Sequence, residues 1–287
     1  MDILDYAFMQ RALIAAALVG ITAPAIGTYL VQRRQALMGD GLGHVAMTGV
    51  ALGFVLQTSP VWMATLVAVV GAVGMELIRA RGRTSGDVAL AMLFYGGLAG
   101  GVMIINLGGG QTASLLGSMF GSITTVAAED VTAMAVLAAF VLVVAIGLRR
   151  QLFAVCQDEE FARVTGLPVR ALNLLIAVTA AVTVTVAMRI VGLLLVSAML
   201  VIPVAAAQRL TRSFAATLGL AMAISVTVSL TGTAATYYIN VPSGATIVLL
   251  AIGVFMVMTA LSAPLARRRA RAALAAEEVC TRDDVKV

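Results

Sequence analysis

Long apolar runs recur along the whole of this 287-residue chain, and that recurrence leaves few folds open. Runs at about 8–31, 44–56, 61–78, 88–107, 131–148, 214–237 and 246–261 approach the ~20 residues that a helix needs to cross a bilayer. The run at 44–56 is short and glycine-rich. A further block at 171–207 is long enough for two crossings joined by a very tight turn, and the sequence places its break at Arg189. Hydrophobic residues make up 61% of the chain and charged residues 11%, against about a quarter charged in a soluble domain. The backbone of such runs must satisfy its own polar groups in lipid, which helices do. The expected fold is therefore all-α, a polytopic membrane protein with about eight to nine transmembrane helices. Residues 1–263 form the membrane domain, and 264–287, basic and then acidic, form a disordered cytoplasmic tail. The stretch TASLLGSMFGSITTV at 112–126 is too short and polar for a span and is expected to be a half-helix or interfacial segment.

Arginines orient the chain. Arg33 and Arg34 follow the first run, and Arg79, Arg81 and Arg83 the third. Arg149, Arg150, Arg163 and Arg170 precede the long block. Arg209 and Arg212 follow it, and Arg267, Arg268, Arg269 and Arg271 follow the last run. The alternate connections, around Thr58, Gly109 and Asn240, carry none, and Arg189 is the lone exception. This predicts an outside N-terminus, a cytoplasmic C-terminus and nine crossings. The acidic start MDILDYAFMQ lacks the basic region of a signal peptide, so the first run is read as retained. Small residues repeat at a spacing of four: Gly39 and Gly43, Gly49 and Gly53, Gly97 and Gly101, Gly117 and Gly121. In lipid this spacing lets helices approach closely.

Several chemistries are excluded. Lys286 is the only lysine, and a P-loop needs one far from the chain end, so the protein has no ATPase site of its own. One histidine rules out an H-E-x-x-H metalloprotease. No carboxylate sits at the middle of a run, as a proton- or sodium-coupled carrier would usually require. Cys156 and Cys280 lie in charged, cytoplasmic segments and are not expected to pair. No catalytic residue, cofactor or nucleic-acid partner is expected. The chain reads as a pore subunit in a bilayer, energised by another protein.

Three stretches carry polar chemistry. In RRQALMGDGLGHVAMTG, at 33–49, Asp40, His44 and Thr48 fall on one stripe of a helix. Asp40 and His44 suit zinc or manganese in transit, since two ligands are too few for a structural site. The alternative is local: Asp40 caps the helix and His44 bonds a neighbouring carbonyl. The second stretch, 189–212, ends a buried run at Pro203 and exits through Gln208, Arg209 and Arg212. It reads as a docking surface including Ala206, or as a proline-bent span with a basic anchor. The third, QDEEFARVTGLP at 157–168, reads as a short capped cytoplasmic helix, with Gly166 and Pro168 at its end. Glu76 and Asp87 flank the loop from Arg79 to Arg83; Glu76 forms an i, i+3 pair with Arg79, and both acids are read as structural.

Together these stretches resemble the permease subunits of zinc/manganese-type ABC importers. RRQALMGDGLGHVAMTGVALGF is similar to that family's first cytoplasmic turn. DEEFARVTGLP, VGLLLVSAMLVIPVAAAQRL and VPSGATIVLL are similar to three later motifs, in the same order, over about 12–261. Gly41, Gly43, Thr48 and Gln208 depart from the usual pattern. The resemblance implies the helical fold of vitamin-B12-type importers. It also implies a homodimer with the pore between copies, two cytoplasmic ATPase subunits and an extracytoplasmic metal-binding protein, in a bacterial plasma (inner) membrane. By likeness Asp40 and His44 match the family's Asp and His, and the Pro203–Arg212 region matches the part that touches the ATPase. The cargo implied is a divalent ion: zinc, manganese or iron. The competing readings are a secondary metal carrier and a membrane scaffold or sensor.

Overall fold

The computed structural model describes residues 6–81, 86–109, 128–239 and 241–262. The stretch at 112–126, Cys280 and the tail at 264–287 lie outside them. Among the described residues every regular element is helical. In order they are α1 (Ala7–Gln32), α2 (Met38–Val55), α3 (Pro60–Ala80), α4 (Gly86–Leu107) and α5 (Ala128–Leu142). A π-helical turn, Val143–Gly147, continues α5. Then come α6 (Arg149–Gln157), α7 (Glu159–Val164), α8 (Val169–Val191), α9 (Leu193–Leu210) and α10 (Phe214–Ile239), and α11 (Ser243–Ser262).

Eight of these helices are long and apolar enough to span a membrane. The exception among the long ones is α2, which carries Asp40 and His44 yet buries most of its length. It can do so because other helices, rather than lipid, surround it. Gly39 and Gly43 face Leu200 and Leu193 of α9. Gly49 and Gly53 sit against Ala64 and Pro60 of α3. From α4, Gly97 and Gly101 press on the α2 backbone, and a Cβ on Gly97 would lie 2.5 Å from the Val45 nitrogen. Each of these three pairs thus admits one neighbour, as the spacing predicts, and Gly117 and Gly121 lie outside the described residues.

The block at 171–207 does fold as two helices, but the break is not at Arg189. Helix α8 continues through that residue and ends at Gly192, whose φ of 88° only glycine adopts freely. That one residue reverses the chain, because α8 begins and α9 ends at the basic end of the bundle. Two other helices end with a 6→1 backbone bond around a left-handed residue other than glycine, the Schellman arrangement. These residues are Arg34 (φ 60°) and Gln57 (φ 53°), with Gln35 N–H bonding the Leu30 carbonyl at 2.8 Å and Thr58 N–H the Gly53 carbonyl at 3.0 Å. The π-helical turn after α5 has its own partner: the buried Tyr29 hydroxyl donates to the Ala145 carbonyl.

Candidate functional site

Asp40 stands in the first turn of α2 and His44 one turn further on. His44 Nε2 lies 3.9 Å from Asp40 Oδ1, the His44 side chain being 7% exposed and the Asp40 side chain 31%. This gap is too long for a hydrogen bond. It is shorter than two metal–ligand bonds of about 2.1 Å each, so one ion can touch both groups. From α9, the Ser197 hydroxyl donates to Asp40 Oδ1 at 3.4 Å. From α4, Phe94 packs edge-on to the imidazole, with ring centres 4.3 Å apart. His44 Nδ1 is buried with no hydrogen-bond partner among the described residues.

The local reading of this pair does not form. Helix α2 begins after Leu37 without a side-chain cap, and the His44 ring bonds no backbone carbonyl among the described residues. Thr48 leaves the stripe chemically: its hydroxyl donates to the Gly97 carbonyl at 2.6 Å and ties α2 to α4. Among the described residues no three of His, Cys, Asp and Glu gather at one place. A cation between Asp40 and His44 would therefore meet two ionisable ligands, a set suited to brief contact. Ser197 and Phe94 were not legible beforehand, since nothing in their local sequence ties them to a residue on α2.

The second place is the end of the bundle that collects the arginines. Arg79 at the end of α3 donates to Glu76 twice, at 3.1 and 2.8 Å. It also donates to Glu159 of α7 at 2.6 Å. Arg33, just past α1, lies 3.3 Å from Glu159 and 3.8 Å from Glu76. Asn173 of α8 donates to the same Glu159 oxygen at 3.1 Å. The side chains of Arg33 and Glu76 are each 5% exposed. Burial pushes the Glu159 carboxyl up, but Arg79, through a hydrogen bond and its charge, then Arg33 and Asn173 more than offset this, holding it below the usual carboxylate range. Arg33 was legible only as a marker of sidedness. That it meets a carboxylate 126 residues away was not.

This network anchors α7 to three membrane helices. The sequence-predicted caps are present: the Asp158 side chain accepts from the N–H groups of Glu160 and Phe161 at 2.9 and 3.0 Å. Gly166 adopts a φ of 83°, and Leu167 N–H bonds the Ala162 carbonyl at 3.1 Å. The helix buries Ala162 and presents Phe161, 63% exposed, and Val164, 87% exposed, outward.

The stretch from Pro203 to Arg212 is arranged differently from the surface expected. Pro203 is buried and Ala206 is 1% exposed, because that part of α9 still packs inside the bundle. Neither side chain is on the surface of the bundle. Gln208, Arg209 and Arg212 are exposed, and the Arg209 guanidinium stands 5.9 Å above the Phe255 ring of α11. Cys156 is a free thiol. Burial, opposed by Arg33 and reinforced by Glu159, pushes it up to about 12.

The model of the ABC 3 transport family matches residues 5–262. The manganese transport system membrane protein MntC of Halalkalibacterium halodurans is 32% identical, over 88% of this chain and 87% of its own length. The chelated iron transport system membrane protein YfeD of Yersinia pestis is 30% identical, over 88% and 84%. The solved PsaBC of Streptococcus pneumoniae, in complex with a Fab, superposes with a TM-score of 0.79 at 30% identity, over 89% of this chain and 92% of the other. A multi-pass helical membrane protein with its motifs in this order belongs to the ABC 3 transport family.

Proposed function

We propose that this chain is the membrane permease of an ATP-driven importer of divalent metal ions. The observation that carries the reading is the Asp40–His44 pair, held 3.9 Å apart inside the bundle with an imidazole nitrogen that has no partner among the described residues. Carboxylate and imidazole together suit zinc, manganese or iron. The relatives named for manganese and for chelated iron support the class and do not choose within it. Asp40 and His44 meet the ion in transit, and Ser197 steadies Asp40.

The permease works as a homodimer with the path between its copies, and an extracytoplasmic metal-binding protein delivers the ion. It lies in a bacterial plasma membrane with the N-terminus outside and the C-terminus in the cytoplasm. Supporting this, Arg33, Arg79 and Arg163 all border the same end of the bundle, as basic cytoplasmic connections should. Two ATPase subunits dock at that end. Their main contact is α7, whose outward Phe161 and Val164 offer apolar area on a charged face, flanked by Gln208, Arg209 and Arg212.

The test is uptake by proteoliposomes carrying permease, ATPase and binding protein, offered zinc, manganese and iron in turn. Uptake of at least one ion should require ATP and all three proteins. Uptake that follows a proton gradient without the ATPase would replace this reading with a secondary carrier.

A further inference from the structure

We propose that an arginine-lined pocket at the basic end of the bundle binds the phosphate of an anionic phospholipid. The pocket, of about 890 Å³, lies between the end of α3, α7 and the first turn of α8. It goes beyond the transport reading and does not depend on which ion is carried.

Charge is the first argument. Four arginines, Arg79, Arg81, Arg163 and Arg170, line the pocket against two carboxylates, Glu76 and Glu159. Both carboxylates are already engaged by Arg79, and Arg33 adds a further positive charge behind them. Among the described residues no carboxylate lies within ion-pair distance of Arg81, Arg163 or Arg170. Three arginines without an ion-pair partner among the described residues therefore border one cavity, and guanidinium geometry favours phosphate oxygens.

The start of α8 is the second. Its first turn, from Pro168 to Ala171, forms part of the pocket wall. The helix has 23 residues and no side chain caps its N-terminus. Val169 N–H bonds the Leu167 carbonyl, and Leu172 N–H closes the first helical bond to Pro168. The amides of Arg170 and Ala171 between them have no acceptor among the described residues. Such amides, with the positive end of the helix dipole, attract an anion.

Depth selects the source of that phosphate. Helix α3 carries an outward stripe of Trp62, Leu66, Val70 and Leu77, all exposed, and one turn beyond Leu77 on the same face stands Arg81. From Trp62 to Arg81 a helix rises roughly 28 Å, close to the ~30 Å of a hydrocarbon core. An aromatic at one interface and arginine at the other is the expected pattern of a lipid-facing helix. Leu77 and Arg81 both border the pocket, so its mouth opens from the apolar stripe at headgroup height. An acyl chain lying along the stripe delivers its phosphate to the arginines. A soluble phosphate gains nothing from the stripe.

The experiment is native mass spectrometry of delipidated permease titrated with phosphatidylglycerol and with phosphatidylcholine of the same acyl chains. Phosphatidylglycerol should bind about 10-fold or more tightly than phosphatidylcholine. The double variant Arg81→Ala, Arg170→Ala should lose about 30-fold in affinity for phosphatidylglycerol, at about a factor of five per arginine, and nothing for phosphatidylcholine. Arg81→Lys with Arg170→Lys should retain most of the preference, and Arg150→Ala, a basic residue outside the pocket, should retain all of it. Gel filtration checks the fold of each variant, and Arg163→Gln replaces the double variant if that one aggregates. Equal affinity for the two lipids, or an undiminished preference in the pocket variants, would overturn the site. Displacement of the lipid by millimolar glycerol phosphate would overturn the lipid as its occupant.

Discussion

Glu76 and Glu159 belong to one network, yet their removal should have different consequences. Glu76→Gln takes a charge from beneath Arg33 and Arg79, in a place where both Arg33 and Glu76 are 5% exposed. Breaking a buried pair and leaving its partner charged costs about 3–5 kcal/mol. Glu159 remains to share Arg33, so the lower end of that range, about 3 kcal/mol, applies here. Glu159 is 33% exposed, and its loss forfeits a charged hydrogen bond in partly screened surroundings, about 1–2 kcal/mol. The functional order reverses. Glu159 is what ties α7 to α1, α3 and α8, whereas Glu76 acts within the membrane helices. Glu76→Gln should therefore lower the melting temperature of the purified permease by several degrees, with ATP-driven uptake per folded molecule largely kept. Glu159→Gln should lower the melting temperature by less than Glu76→Gln does and lose several-fold in uptake. Full uptake with Glu159→Gln would refute α7 as the main ATPase contact, and equal destabilisation by the two would refute the ranking of the two carboxylates by burial.

Three further outcomes follow from individual residues. Because the Glu159 carboxyl is held below its usual range, it contributes stability that is present at neutral pH and lost as pH falls through that lowered value. Melting temperature against pH should show this acid limb in the wild type and a shallower one in Glu159→Gln. Gly97→Ala places a methyl 2.5 Å from the Val45 nitrogen, so α4 must move off α2, and a loss of about 1–3 kcal/mol should appear in thermal melts. Cys156, with its thiol pushed up to about 12, should resist maleimide at neutral pH in the folded protein and react after denaturation.

The long helices were legible because lipid enforces a simple rule on each of them, apolar length. The glycine pairs told where helices touch, since close approach needs the missing side chain on one partner only. The caps of α7 were legible for the same local reason: Asp158, Gly166 and Pro168 act within a few residues. What failed was non-local or needed only one atom of room. The break in the long block followed a glycine's φ at Gly192 rather than the charge at Arg189. Left-handed Arg34 and Gln57 occupy positions where glycine would have announced the turn. Pro203 and Ala206 looked like an exit from the bundle, but α9 stays packed past both of them. Arg33 with Glu159, and Asp40 with Ser197, join residues more than a hundred positions apart, and no pattern in one sequence pairs them.

If Asp40 and His44 meet the ion as it passes, uptake rate and melting temperature must separate in Asp40→Asn and His44→Ala. Both variants should assemble and melt like the wild type while metal uptake falls at least several-fold. Uptake by the wild type should also weaken as pH drops through the titration of the histidine, because a protonated imidazole binds no metal, and this dependence should vanish in His44→Ala. Wild-type uptake in both variants, or a stability loss of about 1–3 kcal/mol large enough to explain the lost transport, would contradict that role for the pair.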